Sequence, residues 1–248
     1  MKRFFIWVCL LLAGNVTYSQ ESFTSQVLAA YLQGDVGKWE QLLSSQQQQT
    51  LTDERKFELL SAQYGLIGLY LDEEIQQGKK AEKLIESATE IAISLKEKSQ
   101  YQASAYAILG ALTGLKISIS PWKGIYLGKK SNEYIDLGKE AGPVNPLVWM
   151  EKGNVAMYSP ALFGGSIELA IKCYEKAISL FEADLPTHRK TWQYFHTMAS
   201  LGQAYTALGK KEEAKQIYQK ALELEPKFSL VKDRLLPALL KNGNETAN

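Results

Sequence analysis

The stretch that most constrains this chain is MASLGQAYTALGKKEEAKQIYQKALELEP, residues 198–226. Apolar and small residues recur at spacings of three and four on both sides of Leu208-Gly209, the pattern of two amphipathic helices joined by a short turn. Gly202, Ala214 and Ala221 carry little bulk where the helices of an antiparallel pair would touch. Tyr205 and Tyr218 are expected to fill the space between neighbouring pairs, and Pro226 stops the second helix. Such a pair cannot bury its apolar face alone, so it needs copies stacked on it.

Those copies are present upstream. Trp149 and Gly153 open a pair whose second helix carries Ala170, Tyr174 and Ala177. Tyr106, Leu109 and Gly110 mark another first helix, with Ser131, Ile135 and Gly138 on its partner; Tyr64-Gly65 followed by Ala81, Ile85 and Ala88 gives a fourth unit. The spacing Leu-Gly-x2-Tyr, then Ala-x3-Tyr-x2-Ala and a closing Pro resembles the tetratricopeptide repeat signature, with Trp149 in its tryptophan position. The expected fold is all-α, a solenoid of antiparallel helix pairs like that of tetratricopeptide repeat (TPR) proteins. Four pairs occupy residues 57–227. Residues 20–56, broken at Gly34-Asp35, read as an N-terminal helical cap or degenerate repeat, and 228–241 as a C-terminal capping helix that Pro237 should kink or end. Residues 242–248 read as a disordered tail.

The turns within pairs are uneven. Gly202 and Ala214 are 12 residues apart, whereas the equivalent intervals are 17 from Gly153 to Ala170, 16 from Gly65 to Ala81 and 21 from Gly110 to Ser131. Three consecutive pairs therefore read as lengthened at their elbows, which a repeating array would set along one edge, and insertions on one face often mark a binding face. In SPALFGG, residues 159–165, Pro160 steers Ser159 away from helical geometry and Ser166 can cap the helix that follows. Leu162, Phe163 and, in the longest elbow, Trp122 are apolar where a bare connector would be polar. They either fold back as plugs or form a lip that contacts a ligand.

Lys2-Arg3, the apolar run FFIWVCLLLA and the small polar residues after it have the order of a secretory signal, with cleavage near Ser19. An exported chain, periplasmic or extracellular, is expected, with no transmembrane segment after cleavage. Cys9 follows the bulky Trp7 and Val8, an unfavourable setting for a lipoprotein anchor. Removal of the signal leaves 26 basic and 27 acidic residues, a balance that argues against nucleic acid or an anionic membrane as partner. It also leaves Cys173 alone in the helical pattern AIKCYEKAISL, where a packed thiol is expected.

Across residues 57–237 the chain is similar to exported bacterial TPR proteins whose helix pairs carry an inserted Pro-x-x-x-Gly-Gly turn, seen here as Pro160 to Gly165. That turn also resembles the repeat-containing T component of tripartite periplasmic transporters. These resemblances imply a binding or scaffold protein rather than an enzyme, with no cofactor. A protein or peptide partner would lie on the concave face made by the first helix of each pair. Transferring the inner-face positions of the repeat gives Tyr70, Asn154, Tyr158 and Gln203, with Met150 and Met157 as adaptable apolar contacts. The second reading is a receptor for a small organic ligand, held in a pocket lined by Trp122, Phe163 and Tyr158. Catalytic and metal motifs are missing from the sequence: His188 and His196 are eight residues apart, wider than helical metal pairs, and LFGGS lacks the lysine of a phosphate loop.

Overall fold

A computed structural model describes residues 21–46, 51–72, 75–183 and 191–244. The expected secretory segment, His188 and the last four residues of the tail lie outside the described residues. Among the described residues there are eleven α-helices and no strand: α1 (Phe23–Gln33), α2 (Val36–Ser44), α3 (Asp53–Tyr70), α4 (Gly78–Leu95), α5 (Gln102–Ile119), α6 (Gly124–Ala141), α7 (Pro146–Tyr158), α8 (Ile167–Ala183), α9 (Trp192–Ala207), α10 (Lys211–Leu224) and α11 (Leu236–Asn244). The last of these runs three residues into the segment expected to be a disordered tail.

Local chemistry sets many of the helix ends. Gly34, at φ 66°, closes α1 in the left-handed region, and the Asp35 carboxylate accepts the Lys38 amide at 2.8 Å to open α2. Asn145 accepts from the Leu147 amide ahead of Pro146, which stands in the first turn of α7. The Ser166 hydroxyl accepts the Leu169 amide at 3.2 Å and restarts the chain as α8, as expected. Helix α10 ends at Leu224, two residues before Pro226.

Consecutive helices pair as α3/α4, α5/α6, α7/α8 and α9/α10, the four units read from the sequence. In α5/α6, α7/α8 and α9/α10 the two helices meet where a glycine stands against a larger side chain. A Cβ placed on Gly202 would lie 2.1 Å from the Tyr218 ring, and one on Gly153 would lie 2.6 Å from the Tyr174 ring. Tyr218 therefore fills the space inside its own pair, not between pairs as the sequence suggested. Tyr205 does reach the neighbouring pair, where its hydroxyl donates to Glu175 on α8 at 2.6 Å. Gly110 meets Ile135 in the same way, and the Ser131 hydroxyl donates to the Gly110 carbonyl at 2.8 Å. Ala170, Ala177, Ala214 and Ala221 are fully buried in these seams. The Trp149 indole donates to the Pro143 carbonyl at 2.7 Å and tethers α7 to the connection before it.

Two sequence expectations are corrected. The surplus residues of the α5/α6 pair do not form a long loop: α5 continues to Ile119, one 3-10 turn spans Pro121–Lys123, and α6 begins at Gly124. Nothing in residues 116–119 or 124–130 breaks a helix, so the extra length became helical turns that project the elbow outward. At the C-terminus, Pro237 does not end the helix. It stands in the first turn of α11, directly after a π-helical stretch at Leu230–Leu235, which absorbs the register change that a proline imposes.

The largest departure is global. Rather than capping one end only, α1 also packs on α9. Trp192 of α9 meets Tyr31, Trp39 and Tyr64 with ring centroids 5.7 to 6.1 Å apart, and Tyr31 meets Phe228 at 5.5 Å. A Cβ on Gly65 would strike both Trp39 and Trp192. The array thus curls until its first and last units share one aromatic core, and Arg234 and Asp72 approach each other at its rim at 3.4 Å.

Candidate functional site

Closure on itself removes the open groove expected along the inner helices. Met150 is fully buried in the core, and Met157 is half-buried against it. Tyr70 is buried, with its hydroxyl donating to Glu40 at 2.6 Å. Asn154 donates to Glu151 and accepts from Tyr174, both at 2.8 Å, so its amide is used inside the protein. Gln203 is half-buried. Four of the expected contact residues, Tyr70, Met150, Asn154 and Met157, are therefore structural parts of the closed array. The physical reason is that the inner side of a short, tightly curled stack is a core rather than a surface.

What fills the inner side includes a chain of polar groups that sequence reading passed over. Glu151 on α7 is 1% exposed; Asn154 donates to its Oε2, whereas Oε1 has no protein hydrogen-bond partner. Burial pushes its carboxyl up to about 7, opposed by the nearby Tyr64 hydroxyl and the Asn154 amide, which favour the ionised form. The chain continues through Asn154 to Tyr174, and a second link runs from Ser200 to His196 Nε2 at 3.5 Å and from His196 Nδ1 to the Tyr31 hydroxyl at 3.3 Å. Burial drives His196 down to about 4, so it is neutral at pH 7. Nothing in the periodicity marks Glu151 as inward-facing. Cys173 is a buried free thiol, raised by desolvation, as its helical setting suggested. Among the described residues no group of three or more His, Cys, Asp or Glu is placed to hold a metal ion. No described helix is long and apolar enough to cross a membrane.

Five of the most exposed apolar groups sit instead on or beside two elbows, while Val144, also exposed, lies in the connection between α6 and α7. Leu162 is 88% exposed, Trp122 81%, Ile125 77%, Tyr126 70% and Tyr158 68%. These five belong to the α5/α6 and α7/α8 elbows or to the helix turns that flank them, and Trp122 and Leu162 are not plugs. The side chain of Phe163 lies outside the described residues. Helices α5 and α7 pack side by side and run in the same sense, so both elbows emerge on one edge. Sequence reading missed Ile125 and Tyr126, although the spacing Trp122, Ile125, Tyr126, Lys129 marks one helical face once GIYLGKK is read as helix. The two best-formed depressions, about 380 Å³ among α1, α2 and α3 and about 250 Å³ between α4 and the α5/α6 elbow, include neither Trp122 nor Tyr158.

Helix pairs, glycine–aromatic seams and a curled stack define an α-solenoid. The family model that matches is the tetratricopeptide repeat, over residues 162–184 and 195–228. Those two segments carry tetratricopeptide repeats, the units built from α8 and from α9 with α10. Among solved structures it is similar to the HusA haemophore from Porphyromonas gingivalis, at 16% identity and a TM-score of 0.56, covering 74% of this chain and 92% of that one. It is also similar to TTC0263, a thermophilic TPR protein of Thermus thermophilus, at 19% identity and a TM-score of 0.53, covering 88% and 97%. At these identities the likeness is one of fold. No curated protein matches the chain.

Proposed function

We propose that this protein is a non-enzymatic interaction scaffold of the bacterial envelope, whose protein or peptide partner docks on the elbow edge around Tyr158 and Leu162. The observation that carries the reading is the exposure of those two side chains beside a sealed inner side. Leu162, left 88% in water, buries little in the fold, and together with Tyr158 it offers apolar area to a partner at this edge. Backbone hydrogen bonds tie the turn down. The Gly165 amide donates to the Pro160 carbonyl and the Ser166 amide to the Ala156 carbonyl, so Leu162 is presented on a fixed platform. The envelope location is supported by the N-terminal order of basic residues, apolar run and small polar residues.

A receptor for a small organic molecule is the weaker reading. The haemophore shares the fold of this chain at 16% identity, and the inner side of the stack is filled by Tyr31, Trp39, Tyr64, Trp192 and His196.

The test is a photo-crosslinking residue placed at Leu162, and separately at the exposed Glu97 in the α4–α5 connection as control, in the cell that makes the protein. A dominant protein adduct formed from position 162 and not from 97, and lost on Tyr158→Ser, supports the edge. The same adducts from both positions, or a co-purified small molecule with no protein adduct, refute it.

A further inference from the structure

The α5/α6 elbow differs from its neighbour in charge. From residue 98 to residue 132 the chain contains five lysines and no aspartate or glutamate. Four of them, Lys116, Lys123, Lys129 and Lys130, lie on the last turns of α5, the 3-10 turn and the first turns of α6, around Trp122, Ile125 and Tyr126. The lysines outnumber the carboxylates that face them. Glu82 and Glu86 of α4 line the groove shared with Lys116 and Lys123, and Glu133 reaches Lys129 only at 4.0 Å. The Lys123 ammonium lies 4.9 Å from the Trp122 ring centroid, and Lys130 lies 5.7 Å from that of Tyr134. Lys116 is held below its ordinary value first by burial and then by Lys130, with Glu86 opposing and Lys123 adding to the repulsion. This cluster is thus short of negative charge.

Trp122, Ile125, Tyr126 and Lys129 follow one another at intervals of three, one and three, so they share one face of a helical tip. Three apolar side chains exposed by 70 to 81%, two of them aromatic rings with a polar atom at one edge and all ringed by lysines, match what a lipid headgroup region accepts. Lysines in excess of the carboxylates that face them, set around three exposed apolar side chains, complement an anionic headgroup layer in charge. We propose that the Trp122–Lys130 elbow is a docking surface for a lipid bilayer carrying anionic headgroups, with Trp122, Ile125 and Tyr126 entering the interface and Lys123, Lys129 and Lys130 meeting the phosphates. The near-neutral charge of the whole chain, which argued against such a surface, averages away this local excess. The site is independent of the partner contact at Tyr158 and Leu162.

Vesicle flotation of the full chain tests it, using phosphatidylcholine alone and phosphatidylcholine with a minority of phosphatidylglycerol. The expected result is binding to the anionic vesicles at least about tenfold stronger than to neutral ones and weakened by salt. Lys123→Glu/Lys129→Glu/Lys130→Glu and, separately, Trp122→Ser/Ile125→Ser/Tyr126→Ser should each remove about tenfold, with unchanged circular dichroism and melting. Quenching by brominated lipid that disappears in Trp122→Phe places the contact at this tip. Equal binding to both vesicle types, or variants that float like the wild type and so locate binding elsewhere in the chain, would overturn the proposal. So would a protein adduct from a photo-crosslinker at position 122 without flotation. Tyr158→Ser/Leu162→Ser should float normally, which separates failure here from failure of the partner site.

Discussion

Adding one methyl group at Gly202 tests the glycine contact on which three of the helix pairs are built. An alanine Cβ there would stand 2.1 Å from Tyr218 Cε1 and 2.6 Å from its Cζ, well inside any real carbon–carbon contact. Tyr218 is 1% exposed, and its ring cannot swing away without displacing its neighbours, so α9 and α10 must part by more than an ångström. Overpacking of this kind costs about 1–3 kcal/mol, and a contact this short against a rigid ring belongs at the upper end. Alanine returns about 1 kcal/mol of helix propensity, which leaves a net loss of about 1–2 kcal/mol. Gly68 of α3 is the internal control: it is exposed, in a helix interior, and a Cβ there meets nothing within 4 Å. Gly68→Ala should therefore gain about 0.5–1 kcal/mol. Urea unfolding followed by circular dichroism at 222 nm reads both substitutions on one scale. Opposite signs are the expected result. If Gly202→Ala is neutral or stabilising, close approach at that glycine is not what sets the pair.

Two further outcomes follow from the closed inner side. Glu151 is raised to about 7, so the folded state keeps a proton that the unfolded chain loses above about 4.5, and its contribution to stability is lost as pH rises from there through 7. His196 is lowered to about 4, so its contribution is lost as pH falls from about 6.5 toward 4. Between about 4.5 and 6.5 the two slopes oppose each other. Relative to wild type, Glu151→Gln should then destabilise progressively toward acid and His196→Phe should stabilise toward acid, each approaching about 1.4 kcal/mol per pH unit in denaturant titrations; parallel curves for all three proteins would show that neither group titrates abnormally. Trp192→Ala should cost about 3–5 kcal/mol, because the ring is 4% exposed and shared by α1, α2 and α3. Small-angle scattering of the variant should show a larger radius of gyration, and an unchanged radius would mean that the ends are held together by something other than this aromatic cluster.

The pairs were legible because the contacts that make them are local. Gly202 and Tyr218, or Gly153 and Tyr174, lie within about one repeat of each other, and the size of the small residue and the period of the helix both appear in the letters. The cap at Ser166 was equally readable, since its side chain answers an amide three residues away. The elbow of α5/α6 was misread because glycine counting measures how many residues are inserted, not whether they stay helical. The inner-face residues were misplaced for a different reason. Whether Tyr70, Met150 or Asn154 faces water depends on how far the stack has curled by its fourth pair, a small rotation per pair that accumulates over the whole chain.

The amino-acid order alone therefore determined the helix pairs, their seams of glycine and alanine against large side chains, and the edge on which the inserted turns emerge, all through forces acting over a turn or two of helix. Only the tertiary structure decided that Tyr31 would meet His196 and Phe228, that Glu151 would be sealed inside with one oxygen unpartnered, and that Trp122, Ile125, Tyr126, Tyr158 and Leu162 would stand exposed at two elbows. Burial is a property of the whole stack: the same side chain is a contact surface in an open array and a core residue once the ends close.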